Sequence, residues 1–215
     1  MQVKPIFITA TGTNVGKTFV TLKLIEELNN LGIKAGVFKP IETGVVDVPH
    51  DASLLIEQCK KYNADFALLE PKDITAYTFK LPAAPFCADT NKIINIDHIM
   101  AKYQELASLC DILIIEGAGG LMTPVTGNIK MIDLISIFGA KTLLVTPSRL
   151  GCINDTLLSI EALKARDLEY DWCVNLYEEI DSFAKVTKPY YNSMPSGWWS
   201  VQNGLQIYTE TIAFK

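Results

Sequence analysis

The chain has 215 residues, of which 49% are hydrophobic, and a formal net charge of −5. This length and composition allow one substantial core, so we expect a single domain over residues 1–215. The acidic charge, with no basic block or basic amphipathic helix, argues against nucleic acid and anionic membranes as partners. Five scattered cysteines without CxxC spacing, no signal-peptide pattern and no bilayer-spanning apolar run predict a cytoplasmic protein with free thiols.

The first predicted element is a strand that leads into a phosphate-binding loop. Residues 6–10 are mainly apolar, and residues 11–18, Thr-Gly-Thr-Asn-Val-Gly-Lys-Thr, open an amphipathic stretch. Glycines let backbone N–H groups converge on phosphate oxygens, and the helix start adds its positive dipole end. Lys17 can then reach the β- and γ-phosphates, and the Thr18 hydroxyl can bind Mg²⁺. Thr11 stands where the GxxxxGK[ST] template has its first glycine, so a plain glycine turn with a surface lysine is the alternative.

Helices and strands alternate along the following residues. The pattern predicts helices over 19–31, after Asp51 through Cys59, 97–109, 131–138 and 154–164, and strands over 35–39, 74–79, 111–116, 142–146 and 173–176. Residues 81–85 contain two prolines and should be irregular, and residues 205–212 are a candidate final strand. The alternation implies βαβ units, and hence an α/β fold of the P-loop type: an open, mostly parallel sheet with helices on both faces.

Several polar residues follow the predicted strands. In open parallel sheets, ligands bind at the carboxyl ends of the strands, where the sequence places Lys39, Thr43, Asp51, Glu116 and Asn175. Glu116 ends a strand that is apolar on both faces, which is typical of a central strand. A carboxylate across from the P-loop threonine suits Mg²⁺ coordination, although a satisfied structural acid is the alternative. Asp51 could equally be a helix cap.

Four motifs in order resemble those of the dethiobiotin synthetase family. They are Thr-x-Thr-x-Val-Gly-Lys-Thr at 11–18, Lys-Pro with a downstream Thr-Gly at 39–44, Glu-Gly-Ala-Gly-Gly at 116–120 and Gly-Cys-Ile-Asn at 151–154. The resemblance implies an ATP-dependent cyclo-ligase of biotin biosynthesis that forms C–N bonds. Its substrates are 7,8-diaminopelargonate, CO₂ and ATP. The diamine forms a carbamate with CO₂, ATP phosphorylates that carbamate, and the second amine closes the ureido ring.

The resemblance also implies roles for individual residues. Lys17 and Lys39 would be catalytic, because phosphoryl transfer needs positioned positive charge. The implied sets are Thr13, Asn14, Val15, Gly16, Lys17, Thr18 and Asn175 for the nucleotide; Lys39, Thr43, Gly119, Gly120, Cys152, Ile153 and Asn154 for the substrate; and Thr18, Asp51 and Glu116 for Mg²⁺. In the family, the segment 151–154 completes the site from a second subunit. We therefore expect a homodimer with a shared active site.

The sequence departs from the family pattern at several positions. Asn14 stands where many members have Glu, and Ala84 stands where Ser is common. Leu176 replaces the acid that often follows Asn175, and the later segments lack the family's base-binding pattern, which predicts weak selectivity among nucleoside triphosphates. Asn154 is expected to open a helix, with an ordinary N-cap as its alternative role.

Two other P-loop classes are alternatives. Cobyrinate-type amide synthetases usually add a glutaminase domain with a nucleophilic cysteine, for which this chain has little room. Partitioning-type ATPase switches carry an extra lysine early in the loop and often a basic tail. Residues 10–13 have no lysine, and the end of the given sequence is not basic. Both features favour the synthetase interpretation.

Overall fold

The computed structural model describes residues 4–213 of the chain. Its strands are β1 (Ile6–Ala10), β2 (Ala35–Thr43), β3 (Thr75–Phe79), β4 (Ile112–Glu116), β5 (Lys141–Pro147), β6 (Tyr170–Asn175) and β7 (Trp199–Ser200). Its helices are α1 (Lys17–Asn30), α2 (His50–Lys60), α3 (Pro85–Ala88), α4 (Ile96–Ala107), α5 (Met131–Phe138), α6 (Cys152–Lys164), α7 (Ile180–Ser182), α8 (Lys188–Ser193) and α9 (Val201–Ala213). Short 3₁₀ turns span Ala64–Phe66 and Pro71–Ile74, and a π-helical segment spans Phe183–Thr187. Within the described residues, no helix is long and apolar enough to cross a membrane.

The strands form one seven-stranded sheet in the order β3-β2-β4-β1-β5-β6-β7, and every registered pair is parallel. The predicted parallel α/β sheet is therefore confirmed. β1 lies in the centre, where Phe7 is in register with Ile115 of β4 and with Thr142 of β5. Since the chain extends the sheet on both sides of β1, right-handed connections place helices on both faces. All carboxyl ends of the strands meet at one edge.

The central strands are buried on both faces, which explains their continuous apolar sequences. Every residue of β1 and of β4 is buried. The predicted helix after the P-loop is confirmed as α1, which buries Val20, Leu24, Ile25 and Leu28 and exposes its polar side. The P-loop thus joins two elements that the core holds firmly.

Strand β2 is longer than predicted, because Pro40 lies inside it rather than in the loop after it. The register explains this difference. β2 pairs with β4 only up to Phe38, and from Lys39 onward it pairs with β3 alone. A proline has no N–H to donate, and it is tolerated where a strand has a partner on one side only. The extension carries Thr43 to the sheet edge.

The predicted strand over residues 205–212 is wrong, because these residues belong to helix α9. The buried side chains Val201, Leu205, Tyr208 and Ile212 follow helical spacing and pack into the core. Gly204 lies against Trp199, where an added Cβ would be only 2.7 Å from the Trp199 Cβ. The glycine therefore allows close packing rather than ending an element.

Helix α6 begins two residues earlier than predicted. Its first residue is Cys152, and the residue before it is Gly151 in a left-handed conformation. Asn154 therefore lies in the first turn, and neither of its predicted positions, helix start or N-cap, is correct. Its side chain contacts Asp155, with Nδ2 at 3.4 Å from Oδ1.

Candidate active site

A cavity of about 400 Å³ opens at the carboxyl edge of the sheet, between the P-loop, the end of β2 and the start of α2. Of the residues predicted for the site, it is lined by Thr13, Asn14, Gly16, Lys17, Thr18, Lys39, Thr43, Asp51 and Gly119. These residues come from distant parts of the sequence, and the parallel sheet brings them together because their strands end side by side.

The P-loop is held in a compact conformation. Asn14 has φ 58° and Gly16 has φ 98°, so two of its residues are left-handed. Lys17 folds back over the loop, and its Nζ donates to the Gly12 carbonyl at 3.0 Å and to the Gly119 carbonyl at 2.9 Å. Burial, and then the nearby charge of Lys39, lower the pKa of Lys17 to about 8. Among residues 4–213, no carboxylate lies in contact with the Lys17 ammonium.

Lys39 lies at the centre of a buried charge cluster. Its Nζ donates to Glu116 Oε1 at 2.7 Å, to Asp51 Oδ2 at 2.8 Å and to the Gly117 carbonyl at 3.3 Å. These contacts use all three ammonium donors. Burial alone would lower the pKa of Lys39, but the carboxylates of Glu116 and Asp51 together raise it above its ordinary value. The same ammonium lowers the pKa of Asp51 against the opposing effect of burial. Lys39 and Asp51 are thus both charged at neutral pH.

Glu116 connects the P-loop helix to this cluster. The Thr18 hydroxyl donates to its Oε1 at 2.9 Å, and the Thr21 hydroxyl lies 2.8 Å from its Oε2. The Glu116 side chain is 0% exposed, so each carboxylate oxygen needs such partners to avoid the cost of desolvation. Thr18 and Thr21 lie one turn apart on α1 and face the same carboxylate.

The oxygens around Lys39 suit a magnesium ion chemically. Thr18, Asp51 and Glu116 offer one hydroxyl and two carboxylates, which are hard oxygen ligands of the kind that Mg²⁺ takes in combination with phosphates and water. No cluster of three His, Cys, Asp or Glu side chains within residues 4–213 forms a complete metal site. The Lys39 ammonium bridges the carboxylates of Asp51 and Glu116.

Asn175 at the end of β6 contacts the P-loop directly. Its Nδ2 donates to the Val15 carbonyl at 3.1 Å, and its Oδ1 accepts from Gln202 Nε2 of α9 at 3.4 Å. A Cβ at Gly16 would lie 2.2 Å from Asn175 Nδ2, so glycine is required at that position. The Tyr177 hydroxyl donates to the Asn14 carbonyl at 2.7 Å. The C-terminal segment therefore supports the back of the P-loop.

A second cavity of about 450 Å³ lies on the other side of the P-loop, against helix α6. Gly120 lines it, and the Gly120 N–H donates to the Thr123 hydroxyl at 3.0 Å. The helix contributes Leu158 and Ser159 to this cavity. The predicted substrate residues Cys152, Ile153 and Asn154 are in the first turn of the same helix, and they line neither of the two cavities.

Four residues of the site region were missed by the sequence analysis. Thr21 could have been found as a polar residue one turn after Thr18 on the buried side of α1. Glu42 lies within the Lys-Pro motif but received no role, although its buried carboxylate accepts from two backbone N–H groups. Tyr177 and Gln202 have no signal in the sequence, because their partners Asn14 and Asn175 lie 163 and 27 residues away.

Comparisons with known proteins add to this geometry. A family model described as an AAA domain matches residues 4–171. The chain is 58% identical to the ATP-dependent dethiobiotin synthetase BioD of Sulfurovum sp. (strain NBC37-1), over 96% of this chain and 99% of that protein. It is 38% identical to the ATP-dependent dethiobiotin synthetase BioD of Wolinella succinogenes, over 97% of this chain and 98% of that protein.

Solved structures share the fold at low sequence identity. A plasmid partition protein from Borrelia burgdorferi is similar with a TM-score of 0.58 and 10% identity, covering 99% of this chain and 96% of that chain. MinD from Aquifex aeolicus is similar with a TM-score of 0.52 and 18% identity, covering 97% and 87%. At such identities the likeness concerns the fold alone.

Proposed function

The chain belongs to the ATP-dependent dethiobiotin synthetase family, and we propose that its P-loop cavity converts 7,8-diaminopelargonate, CO₂ and ATP into dethiobiotin. It is an ATP-dependent ligase that forms C–N bonds. The observation that carries the proposed site is that Lys17 and Lys39, from different strand–helix units, converge on one cavity. A reaction between two anionic groups, a carbamate and a triphosphate, needs such a concentration of positive charge.

Each proposed step follows from the chemistry of the substrates. One amine attacks CO₂ and loses a proton, which gives a carbamate. A carbamate oxygen attacks the γ-phosphorus of ATP, and ADP leaves. The second amine then attacks the carbamate carbon and loses a proton, and phosphate leaves as the ureido ring closes. Charge changes at oxygens in every step, so positioned ammonium and amide donors are the main catalytic resource.

Lys17 is proposed to bind the β- and γ-phosphates. Within the part of the chain that the structure describes, its Nζ donates only to the carbonyls of Gly12 and Gly119. Phosphate oxygens would be stronger acceptors for an ammonium group. The contact with Gly119 would be released as the lysine turns to the phosphates. Thr13 to Gly16 supply the surrounding backbone of the loop.

Lys39 is proposed to face the carbamate and the transferred phosphoryl group. Thr18, Asp51 and Glu116 would hold Mg²⁺, which when bound supplies positive charge at the phosphate oxygens. Because the two carboxylates contact Lys39, its ammonium is the cation that would have to shift toward the substrate. Thr43 lies at the end of the same strand and lines the cavity, so it is placed for a substrate contact.

A homodimer is part of the proposal. The surface beside the second cavity carries the exposed apolar side chains Met122 and Leu158, and Leu150 is exposed just before α6. A second subunit that covers this surface could bring the first turn of α6, residues 152–154, to its neighbour's site, where helix N–H groups favour a carboxylate. Asn154→Ala is then expected to raise KM for the diamine far more than KM for ATP. Equal effects, or a monomer by sedimentation, would argue against a shared site.

A cytoplasmic location is also proposed. All five cysteines are free thiols, and burial raises the pKa of the Cys59 thiol to about 12, which makes it unreactive. Free thiols are typical of reducing compartments.

The function is tested by an omission assay. Phosphate release and dethiobiotin formation are measured with ATP, diamine and bicarbonate together, and then with each one left out. The proposal requires both products only in the complete mixture. Lys17→Ala and Glu116→Ala should each still fold and lose most turnover, and Glu116→Ala should also lower Tm because it removes a buried partner of Lys39. Phosphate release that is the same with and without the diamine would contradict the proposal and favour a nucleotide switch.

A further inference from the structure

Glu42 is a buried carboxylate at the edge of the proposed site, and the reaction as described above makes no use of it. It is the residue before the last one of β2 and is 6% exposed. Its Oε1 accepts from the Asp51 N–H at 2.9 Å, and its Oε2 accepts from the Ala52 N–H at 3.0 Å. Asp51 and Ala52 are the second and third residues of helix α2.

These hydrogen bonds replace a missing helix cap. The first N–H groups of a helix have no partner within the helix and need acceptors from elsewhere. The residue before α2 is Pro49, which supplies no side-chain cap. Asp51 could have capped the helix, but its carboxylate contacts Lys39 at 2.8 Å instead. Glu42 therefore satisfies two N–H groups from a different element, and its negative charge lies at the positive end of the helix dipole.

We propose that Glu42 is a positioning residue: its carboxylate caps α2 directly and so holds the Asp51 carboxylate where it can serve the metal site. Each Glu42 oxygen accepts from a backbone N–H group at the start of α2, so Glu42 is placed to act through Asp51. Lys39 and Glu42 belong to the same strand, β2. This strand therefore fixes the position of Lys39 directly and the position of the Asp51 carboxylate through Glu42. The inference rests on the proposed function, which makes Asp51 a ligand of Mg²⁺.

The test compares Glu42→Gln with a matched control. In Glu42→Gln, one acceptor oxygen is replaced by an amide that points a donor at a backbone N–H. Asp89→Asn makes the same change elsewhere: Asp89 is 4% exposed, and its two oxygens accept from the Ile93 and Ile94 N–H groups at 2.9 Å each. Asp89 lines neither of the two cavities beside the P-loop. Both variants should lower Tm, because each leaves buried groups unpaired.

The deciding measurement is Mn²⁺ binding to the full-length enzyme, followed by electron paramagnetic resonance with a non-hydrolysable ATP analogue. Outer residues that orient metal ligands are worth about 10- to 100-fold in metal affinity, so Glu42→Gln should raise the Kd for Mn²⁺ by at least about tenfold. Asp89→Asn should leave this Kd within about twofold of the parent protein. Hydrogen exchange at the first turn of α2 should become faster in Glu42→Gln alone.

An unchanged Mn²⁺ Kd in Glu42→Gln, or equal losses in both variants, would overturn the positioning role. If Glu42→Gln does not fold, Glu42→Asp is used instead, because it keeps the charge and shortens the side chain by one methylene. Glu42→Asp should weaken Mn²⁺ binding to a smaller degree. An unchanged Kd for Mn²⁺ in this variant again contradicts the proposal. Failure of the proposed function is a separate result, since the parent protein would then make no dethiobiotin in the omission assay.

Discussion

Lys39→Met tests the buried charge cluster most directly. The Lys39 side chain is 3% exposed and its ammonium lies 2.7 Å from the carboxylate of Glu116, whose side chain is 0% exposed. Methionine has a similar length and keeps the apolar packing, but it leaves a buried carboxylate without a counter-charge. Removing one partner of a buried ion pair costs about 3–5 kcal/mol of unfolding free energy. For a chain of this size, each kcal/mol changes Tm by about 2–4 °C, so a decrease of about 6–20 °C is expected.

Near neutrality, the expected loss of stability in Lys39→Met depends little on pH. The pKa of Lys39 in the folded protein is raised above its ordinary value of 10.5 by Glu116 and Asp51, which outweigh burial. A group with a raised pKa contributes its full stabilisation below its unfolded pKa and loses it only as pH rises through the folded pKa. The contribution is therefore complete at pH 7.

The control is Lys23→Met. Lys23 Nζ lies 3.1 Å from Glu26 Oε2, but the two side chains are 50% and 40% exposed, and such surface pairs contribute about 0–1 kcal/mol. Both variants are unfolded thermally and in urea without nucleotide. If Lys39→Met loses no more stability than Lys23→Met, the reasoning from a buried ion pair is refuted. Added Mg²⁺ should raise the Tm of Lys39→Met more than that of the parent, because the carboxylates regain a cation.

Three further measurements test the nucleotide side of the site. Burial and the charge of Lys39 lower the pKa of Lys17 to about 8, and phosphate binding needs the charged form of the lysine. ATP affinity should therefore fall by up to about tenfold per pH unit above pH 8. An ATP affinity that calorimetry finds constant from about pH 6.5 to about 9.5 would contradict this. Tyr177→Phe removes a hydrogen bond to the P-loop and should raise KM for ATP about two- to tenfold, whereas Tyr190→Phe, with equal exposure, should not change it. Because the Asn175 amide is engaged by protein groups, kcat/KM for ATP, GTP and CTP should agree within about tenfold; a preference above about a hundredfold would reveal a specific base site.

The fold was largely predictable where neighbouring residues carry the signal. Residues 11–18 predict a phosphate loop because glycine, lysine and threonine must be close in sequence to surround a phosphate. The run Ile112–Glu116 predicts a central strand because a strand buried on both faces has apolar residues without alternation. The parallel order of the strands follows from their alternation with helices. Membership of the family is confirmed by relatives that match nearly the whole chain.

The incorrect predictions concern segments for which packing and strand pairing decide the element. Residues 205–212 form a helix, and the spacing of Val201, Leu205, Tyr208 and Ile212 is a local signal for it that the strand prediction overlooked. The packing of Gly204 against Trp199 could not be read from that pattern. Pro40 continues β2 because the partner strand on one side has ended by then. Strand pairing decides where β2 ends, and no local sequence pattern shows which strands pair.

The sequence by itself determined which residue types the chain provides at the carboxyl edge of the sheet, since the order of strands and motifs places Lys17, Lys39 and Glu116 there. Only the tertiary structure decided what these groups contact. Glu116 accepts from Thr18 and from Lys39, and Glu42 caps the helix that carries Asp51. The physical reason is that a buried charge must find its partners in space, and these partners are separated by as many as 98 residues of sequence.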